Sequence, residues 1–152
     1  PRPAPENSVP YKSPLGATAL PRVPANVRGP EFEFWAALEN PVPMTEEVLA
    51  AGRVLYDRHC MVCHGTSGEG NGPVVQPGTR FPTGPSLLLP VVQNYPDGYI
   101  YGVIREGRSL MPAYGGRINH QERWYIVNYV RLLQQQAQGG ATQPAATGSG
   151  ED

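Results

Sequence analysis

Five consecutive residues carry the most specific chemistry of this 152-residue chain: Cys60-Met61-Val62-Cys63-His64. Cys60 and Cys63 are its only cysteines. One helical turn separates the two sulfurs, so both can reach the two vinyl groups on one edge of a porphyrin. Addition of the thiols across the vinyls forms two thioethers, and the next residue places its imidazole under the iron. C-x-x-C-H therefore reads as the attachment site of one covalent haem c, bound through Cys60 and Cys63, with His64 as an iron ligand. Two rival chemistries use the same residue types. A zinc site wants four ligands, but no second cysteine pair exists and only His59 and His120 remain. A thioredoxin-like dithiol wants a βαβ setting, and no convincing strand pattern is present.

The iron needs a sixth ligand or an open position. Met44 stands in a Pro-rich stretch, and Met61 lies inside the attachment motif, facing the wrong way. Met111 sits in the loop Gly107-Arg108-Ser109-Leu110-Met111-Pro112, where a thioether can be carried over the second haem face and Pro112 stiffens the chain. His64 and Met111 are therefore the expected metal ligands, and such a pair raises the reduction potential. The other nitrogen of His64 also needs a partner. Gly84-Pro85-Ser86-Leu87 follows a long loop and could supply the Pro85 carbonyl, so Pro85 and Leu87 join the expected cofactor-binding set. Arg80, Arg105 and the tyrosines are candidates to meet the haem propionates. His59 and His120 read as surface side chains.

The elements that must position these groups are helical. Thr45 is a good N-cap, with Glu46 and Glu47 in the first turn, and the helix runs to about His59. Leu49, Gly52, Tyr56 and Cys60 share one of its faces. Residues 65–95 read as loop. Pro96 and Asp97 begin a second helix that Gly107 closes. Asn119 and Glu122 form a capping box ahead of a last helix from His120 to about Gln136, with Trp124, Ile126, Val127, Val130 and Leu133 as its apolar set.

Both ends of the chain differ from this middle. Residues 1–44 hold prolines at 1, 3, 5, 10, 14, 21, 24, 30, 41 and 43, which predicts an extended, polyproline-like arm. The arm also carries Tyr11, Leu15, Leu20, Val23, Phe32, Phe34 and Trp35. So much apolar surface calls for a cover, the chain's own domain or a partner protein, and the arm is read as partner-binding. Residues 137–152 have no apolar anchor and read as a flexible tail. This leaves 45–136 as the folded domain.

Bulk composition agrees and excludes other functions. Twelve Lys and Arg against thirteen Asp and Glu give a net charge of −1, with no electrostatic case for nucleic acid. Eighteen glycines and eighteen prolines with 39% hydrophobic residues leave a modest core, which a buried porphyrin would supplement. No apolar run of 18 residues is present, so nothing reads as a membrane span. No charged and apolar leader precedes Pro1, so the numbering is expected to begin after processing.

Three features in order resemble a class I cytochrome c: Gly52-x-x-x-Tyr56-x-x-x-Cys60-x-x-Cys63-His64, then Gly84-Pro85-x-Leu87, then Met111-Pro112 before a final aromatic helix. The resemblance implies an all-α fold of three to four short helices and long loops around one haem. It also implies that the first and last helices cross where Gly52 and Tyr56 meet Ile126 and Tyr129. The stretches PVPMTEEVLAAGRVLYDRHCMVCHGTSGEGNG, YPDGYIYGVIREGRSLMPAYGGRI and RWYIVNYVRLLQ further resemble the monohaem cytochrome c subunit of bacterial alternative complex III, a membrane-bound quinol:electron-acceptor oxidoreductase. That likeness implies several partners: a multihaem cytochrome, an iron–sulfur protein, integral membrane subunits, and a soluble carrier or oxidase that takes the electrons. It also implies the periplasmic side of the inner membrane, with a lipid anchor in some relatives. The expected function is electron transfer. A free periplasmic shuttle and an open-faced haem enzyme or gas sensor are the competing readings.

Overall fold

The computed structural model describes residues 20–79 and 84–140. Six helices follow one another among them: α1 Pro30–Ala36, α2 Glu46–His59, α3 Met61–His64, α4 Pro90–Gln93, α5 Asp97–Glu106 and α6 His120–Gly140. No strand forms among these residues, and the one β-bridge pairs Arg108 with Met111. No helix among them is long and apolar enough to cross a membrane.

Local chemistry sets the ends of the main helices. The Thr45 hydroxyl accepts a hydrogen bond from Val48 N at 3.3 Å and opens α2. Asn119 and Glu122 form the reciprocal box at the start of α6, each side chain accepting from the other's backbone N–H at 2.9 Å. Gly107 ends α5 at φ 75°, a backbone region that glycine enters without steric cost.

Packing of α2 against α6 forms the centre. Gly52 is the crossing point, since a Cβ there would stand 2.3 Å from the Tyr125 carbonyl oxygen. The backbone just before Ile126 lies nearest to Gly52, and Tyr129 stands 5.3 Å, ring to ring, from Tyr56. The core continues through Trp124, Ile126, Val127, Val130 and Leu133 of α6 and Ile100 and Ile104 of α5. Arg131 ties α6 to the chain beneath it. Its guanidinium donates to Asp97 at 2.7 Å, to the Gln93 carbonyl at 3.0 Å and to the Tyr95 carbonyl.

Residues 20–44 depart from a wholly extended arm. Gly29 at φ 87° and Pro30 in the first turn start α1, and Trp35 on that helix is completely buried. Two glycines one turn apart on α5 make the slot for it. A Cβ on Gly102 would meet the Trp35 ring at 2.6 Å, and one on Gly98 would meet the Trp35 carbonyl oxygen at 2.1 Å. Trp35 Nε1 donates to the Pro21 carbonyl at 3.2 Å, and the Tyr99 hydroxyl donates to the Pro24 carbonyl at 2.7 Å. Asn40 and Asn128 continue the seam along α6, with Asn128 donating to the Val42 carbonyl at 3.1 Å. This part of the arm folds back on its own domain. Tyr11 and Leu15 lie outside the described residues.

Other boundaries also move. The attachment motif forms a short helix of its own, and α4 interrupts the loop expected over 65–95. The last helix continues to Gly140, so residues 137–140, assigned to the tail on composition, are helical. Replacing Trp35 with alanine should cost ~3–5 kcal/mol of stability, read as a fall in the denaturant midpoint. A loss below about 1 kcal/mol would mean that the buried indole is not part of the cooperative core.

Candidate cofactor site

The attachment motif is built from α2 outward. Cys60 N donates to Tyr56 O at 2.8 Å, and His64 N donates to Cys60 O at 2.9 Å. The turn thus continues through both cysteines and ends at Gly65, φ 76°. The buried Tyr56 hydroxyl donates to the Gly65 carbonyl at 2.7 Å and pins the end of the motif to α2. The following loop wraps round this short helix. Gly70 N donates to His64 O at 2.7 Å, and Gly72 N to Cys63 O at 3.2 Å.

His64 Nδ1 lies 2.7 Å from the Pro85 carbonyl oxygen. A carbonyl only accepts, so Nδ1 carries the proton and Nε2 keeps a free lone pair, the form in which imidazole binds a metal. Burial lowers the pKa of His64 below its ordinary value, and the bond to Pro85 opposes that only in part. The ring is therefore neutral at pH 7. A backbone-on-backbone contact sets the Pro85 carbonyl in place, because a Cβ on Gly84 would lie 1.3 Å from Gly70 O. Leu87 N donates to Gly68 O at 2.8 Å and closes the same contact.

Met111 sits on a tight hairpin after α5. Arg108 and Met111 exchange two backbone hydrogen bonds of 3.0 and 2.9 Å, and Ser109 between them takes φ 54°. Tyr114 N then donates to Ile104 O at 3.0 Å and Gly115 N to Arg105 O at 2.9 Å. The chain leaving the hairpin is thereby clipped back onto the last turn of α5.

These pieces surround one cavity of about 550 Å³. Cys60, Cys63 and His64 line it from the attachment motif, Pro85 and Leu87 from the loop, and Met111 from the hairpin. Ile100 and Ile104 of α5 and Ile126 and Val130 of α6 complete apolar walls. The size suits a bound cofactor. The donor set of two thiols, one imidazole with its lone pair free and one thioether fits a covalent haem. A larger, more open hollow of about 770 Å³ between α2 and α6 contains no His, Cys or Met, so it offers iron no such ligand.

The rival chemistries fare worse. Burial, with Cys63 and Asp57 nearby, pushes the Cys60 thiol up to about 12, away from the thiolate a redox dithiol needs. Among the described residues no three His, Cys, Asp or Glu side chains converge as a metal cluster. His59 is not the surface residue expected. It is half-buried, lines the cavity and lies 6.1 Å, ring to ring, from Tyr114. Arg80 lies outside the described residues. Arg105 does not line the cavity and pairs instead with Glu106. Sequence reasoning passed over Arg108, which does line it. The only signal was its place in the Met111 loop.

Helices without strands among the described residues, a C-x-x-C-H turn and an apolar cavity define a cytochrome c domain of the class I, all-α type. The chain belongs to the family described as cytochrome c oxidase, cbb3-type, subunit III, whose model matches residues 47–130, more than half of it. Membership implies a covalent haem c and electron transfer. Among solved structures the chain is similar to one from the Kuenenia stuttgartiensis reducing HAO-like protein complex. The identity is 24% and the TM-score 0.53, over 64% of this chain and 48% of that one, a likeness of fold. The chain thus spans about half the length of that relative. No curated protein matches it.

Gly84→Ala should force the two loop backbones apart and destabilise the protein by ~1–3 kcal/mol. Gly139→Ala, with nothing within 4 Å of the added carbon, should change it by less than about 0.5 kcal/mol. Thermal melting of the haem-loaded protein compares the two. Equal melting temperatures would mean that the Gly70–Gly84 contact does not hold the Pro85 carbonyl in place.

Proposed function

We propose that this chain passes single electrons through one c-type haem, held by Cys60 and Cys63 and ligated by His64 and Met111. The observation that carries the reading is the placement of His64 and the clipped Met111 hairpin on a single apolar cavity, with the lone pair of Nε2 left free by the Pro85 bond. Haem supplies the one-electron Fe(III)/Fe(II) couple. The protein's part is to present two axial donors, exclude water with isoleucine and valine, and hold the imidazole neutral. Ligated by both His64 and Met111, the iron would have no open position for a substrate, which makes the chain a carrier rather than an enzyme in itself.

The chain acts as a fixed subunit of a membrane-bound, quinol-oxidising complex of the alternative complex III kind, on the periplasmic side of a bacterial inner membrane. It takes electrons from a multihaem cytochrome beside iron–sulfur and integral membrane subunits, and gives them to a soluble carrier or an oxidase. Three considerations support this. The family's own description is that of an oxidase subunit. The resemblance of 41–72, 95–118 and 123–134 to the monohaem subunit is the second. The third is that the described part of the arm, although folded back, leaves Val27, Phe34 and Met44 at 38–43% exposure, apolar surface that a neighbouring subunit can cover. A free shuttle would have little use for these exposed apolar side chains.

Two experiments test the two levels. Met111→Ala should abolish the weak far-red band of methionine-ligated ferric haem while the haem stays covalently attached. A wild type without that band would return the open-faced readings. Replacing the exposed apolar side chains together, Val27→Ser, Phe34→Ser and Met44→Ser, should reduce co-purification with membrane partners at least tenfold. Undiminished recovery would count against the arm as the docking element and favour the free carrier.

A further inference from the structure

Arg108 is the only lysine or arginine among the described residues that line the haem cavity, and no carboxylate lines it. The guanidinium is half-buried and forms no ion pair among those residues. Among the described residues every group that holds it is neutral. It donates to the Tyr95 hydroxyl at 3.2 Å and to the Ala25 carbonyl of the arm, and it lies 5.6 and 5.7 Å from the ring centres of Tyr95 and Tyr99. A partly desolvated cation with neutral partners is costly unless an anion completes it.

A haem brings two carboxylates. Cys60 and Cys63 would hold it at the vinyl edge, His64 and Met111 would ligate its iron, and the isoleucines and valines of α5 and α6 can meet only hydrocarbon. The carboxylates leave the porphyrin by the edge away from the thioethers. Tyr95, whose oxygen already accepts from Arg108, has its own proton left to donate.

We propose that Arg108, clamped between the Ala25 carbonyl and the Tyr95 hydroxyl, is the counter-charge of the haem carboxylates, which makes the arm segment around Ala25 a structural part of the haem site. The inference rests on the haem reading above. Arg108 is a binding residue toward the cofactor, and Ala25 positions it. The cation keeps the carboxylates ionised through neutral pH and disfavours the extra positive charge of Fe(III).

The test is potentiometry across pH 5–8 on the full chain carrying covalent haem, comparing wild type, Arg108→Gln, Arg108→Lys and Arg80→Gln. Arg108→Gln should lower the Fe(II)/Fe(III) ratio at fixed poise about tenfold, which is about 59 mV for one electron. It should also bring a pH dependence into the neutral range, as a carboxylic acid begins to titrate there. Arg108→Lys keeps the charge and should restore most of the ratio, whereas a residue acting only as a clamp for the arm would not be rescued. An unchanged ratio and pH profile in Arg108→Gln overturns the inference, and a shift in Arg80→Gln instead would assign the role to Arg80. If Arg108→Gln fails to retain haem, Arg108→Lys decides. Haem retained with a near-wild-type ratio supports the charge role, and haem lost reduces Arg108 to a structural clamp. Wild type without covalent haem would overturn the function itself, a different result from any of these.

Discussion

The close crossing of α2 and α6 at Gly52 is the constraint on which the other distances depend. With no side chain at that point the two backbones come near enough for a Cβ to meet the Tyr125 carbonyl at 2.3 Å. One turn further along α2, Tyr56 packs on Tyr129 and reaches Gly65. One turn further again come Cys60 and Cys63, and then His64. Any side chain at position 52 would push α2 outward and carry the attachment motif with it, because interiors are packed too densely to absorb the shift. The cavity is the space that this crossing leaves beneath α5.

Glycines elsewhere do the same work by other means. Gly70 and Gly84 let two loop backbones touch, so a proline carbonyl can orient an imidazole. Gly98 and Gly102 hollow α5 for Trp35, which brings a Pro-rich segment into the core. A chain rich in glycine and proline with a modest share of apolar residues has few large side chains to fill gaps. It gains order instead from close backbone contact and from polar clamps such as Arg131, which binds the chain at Gln93, Tyr95 and Asp97 at once.

The arm changes its meaning in this light. Among its described residues only Pro30–Ala36 is helical, and its carbonyls at Pro21, Pro24 and Ala25 accept bonds from Trp35, Tyr99 and Arg108. A proline-rich extended segment suits that task, since its backbone oxygens are not engaged in a helix of their own and are free to accept. The segment joins the surface of the domain to the edge of its cavity.

Much of this was legible along the chain, for local reasons. The C-x-x-C-H motif, the Thr45 cap, the Asn119–Glu122 box and the stop at Gly107 are short-range patterns whose physics is complete within a few residues. They determined the main helices and named Cys60, Cys63, His64 and Met111, together with Pro85, as groups to be brought together. The helix at Pro30–Ala36, the burial of Trp35, the inward turn of His59 and the place of Arg108 were not legible. Each depends on what another part of the chain leaves open: two glycines on α5, a hairpin bridge, a carbonyl eighty-three residues away. Sequence alone thus determined which atoms could bind a haem. Tertiary packing decided which of them share one cavity and which charge faces it, because long-range contact is set by complementary shape and not by spacing along the chain.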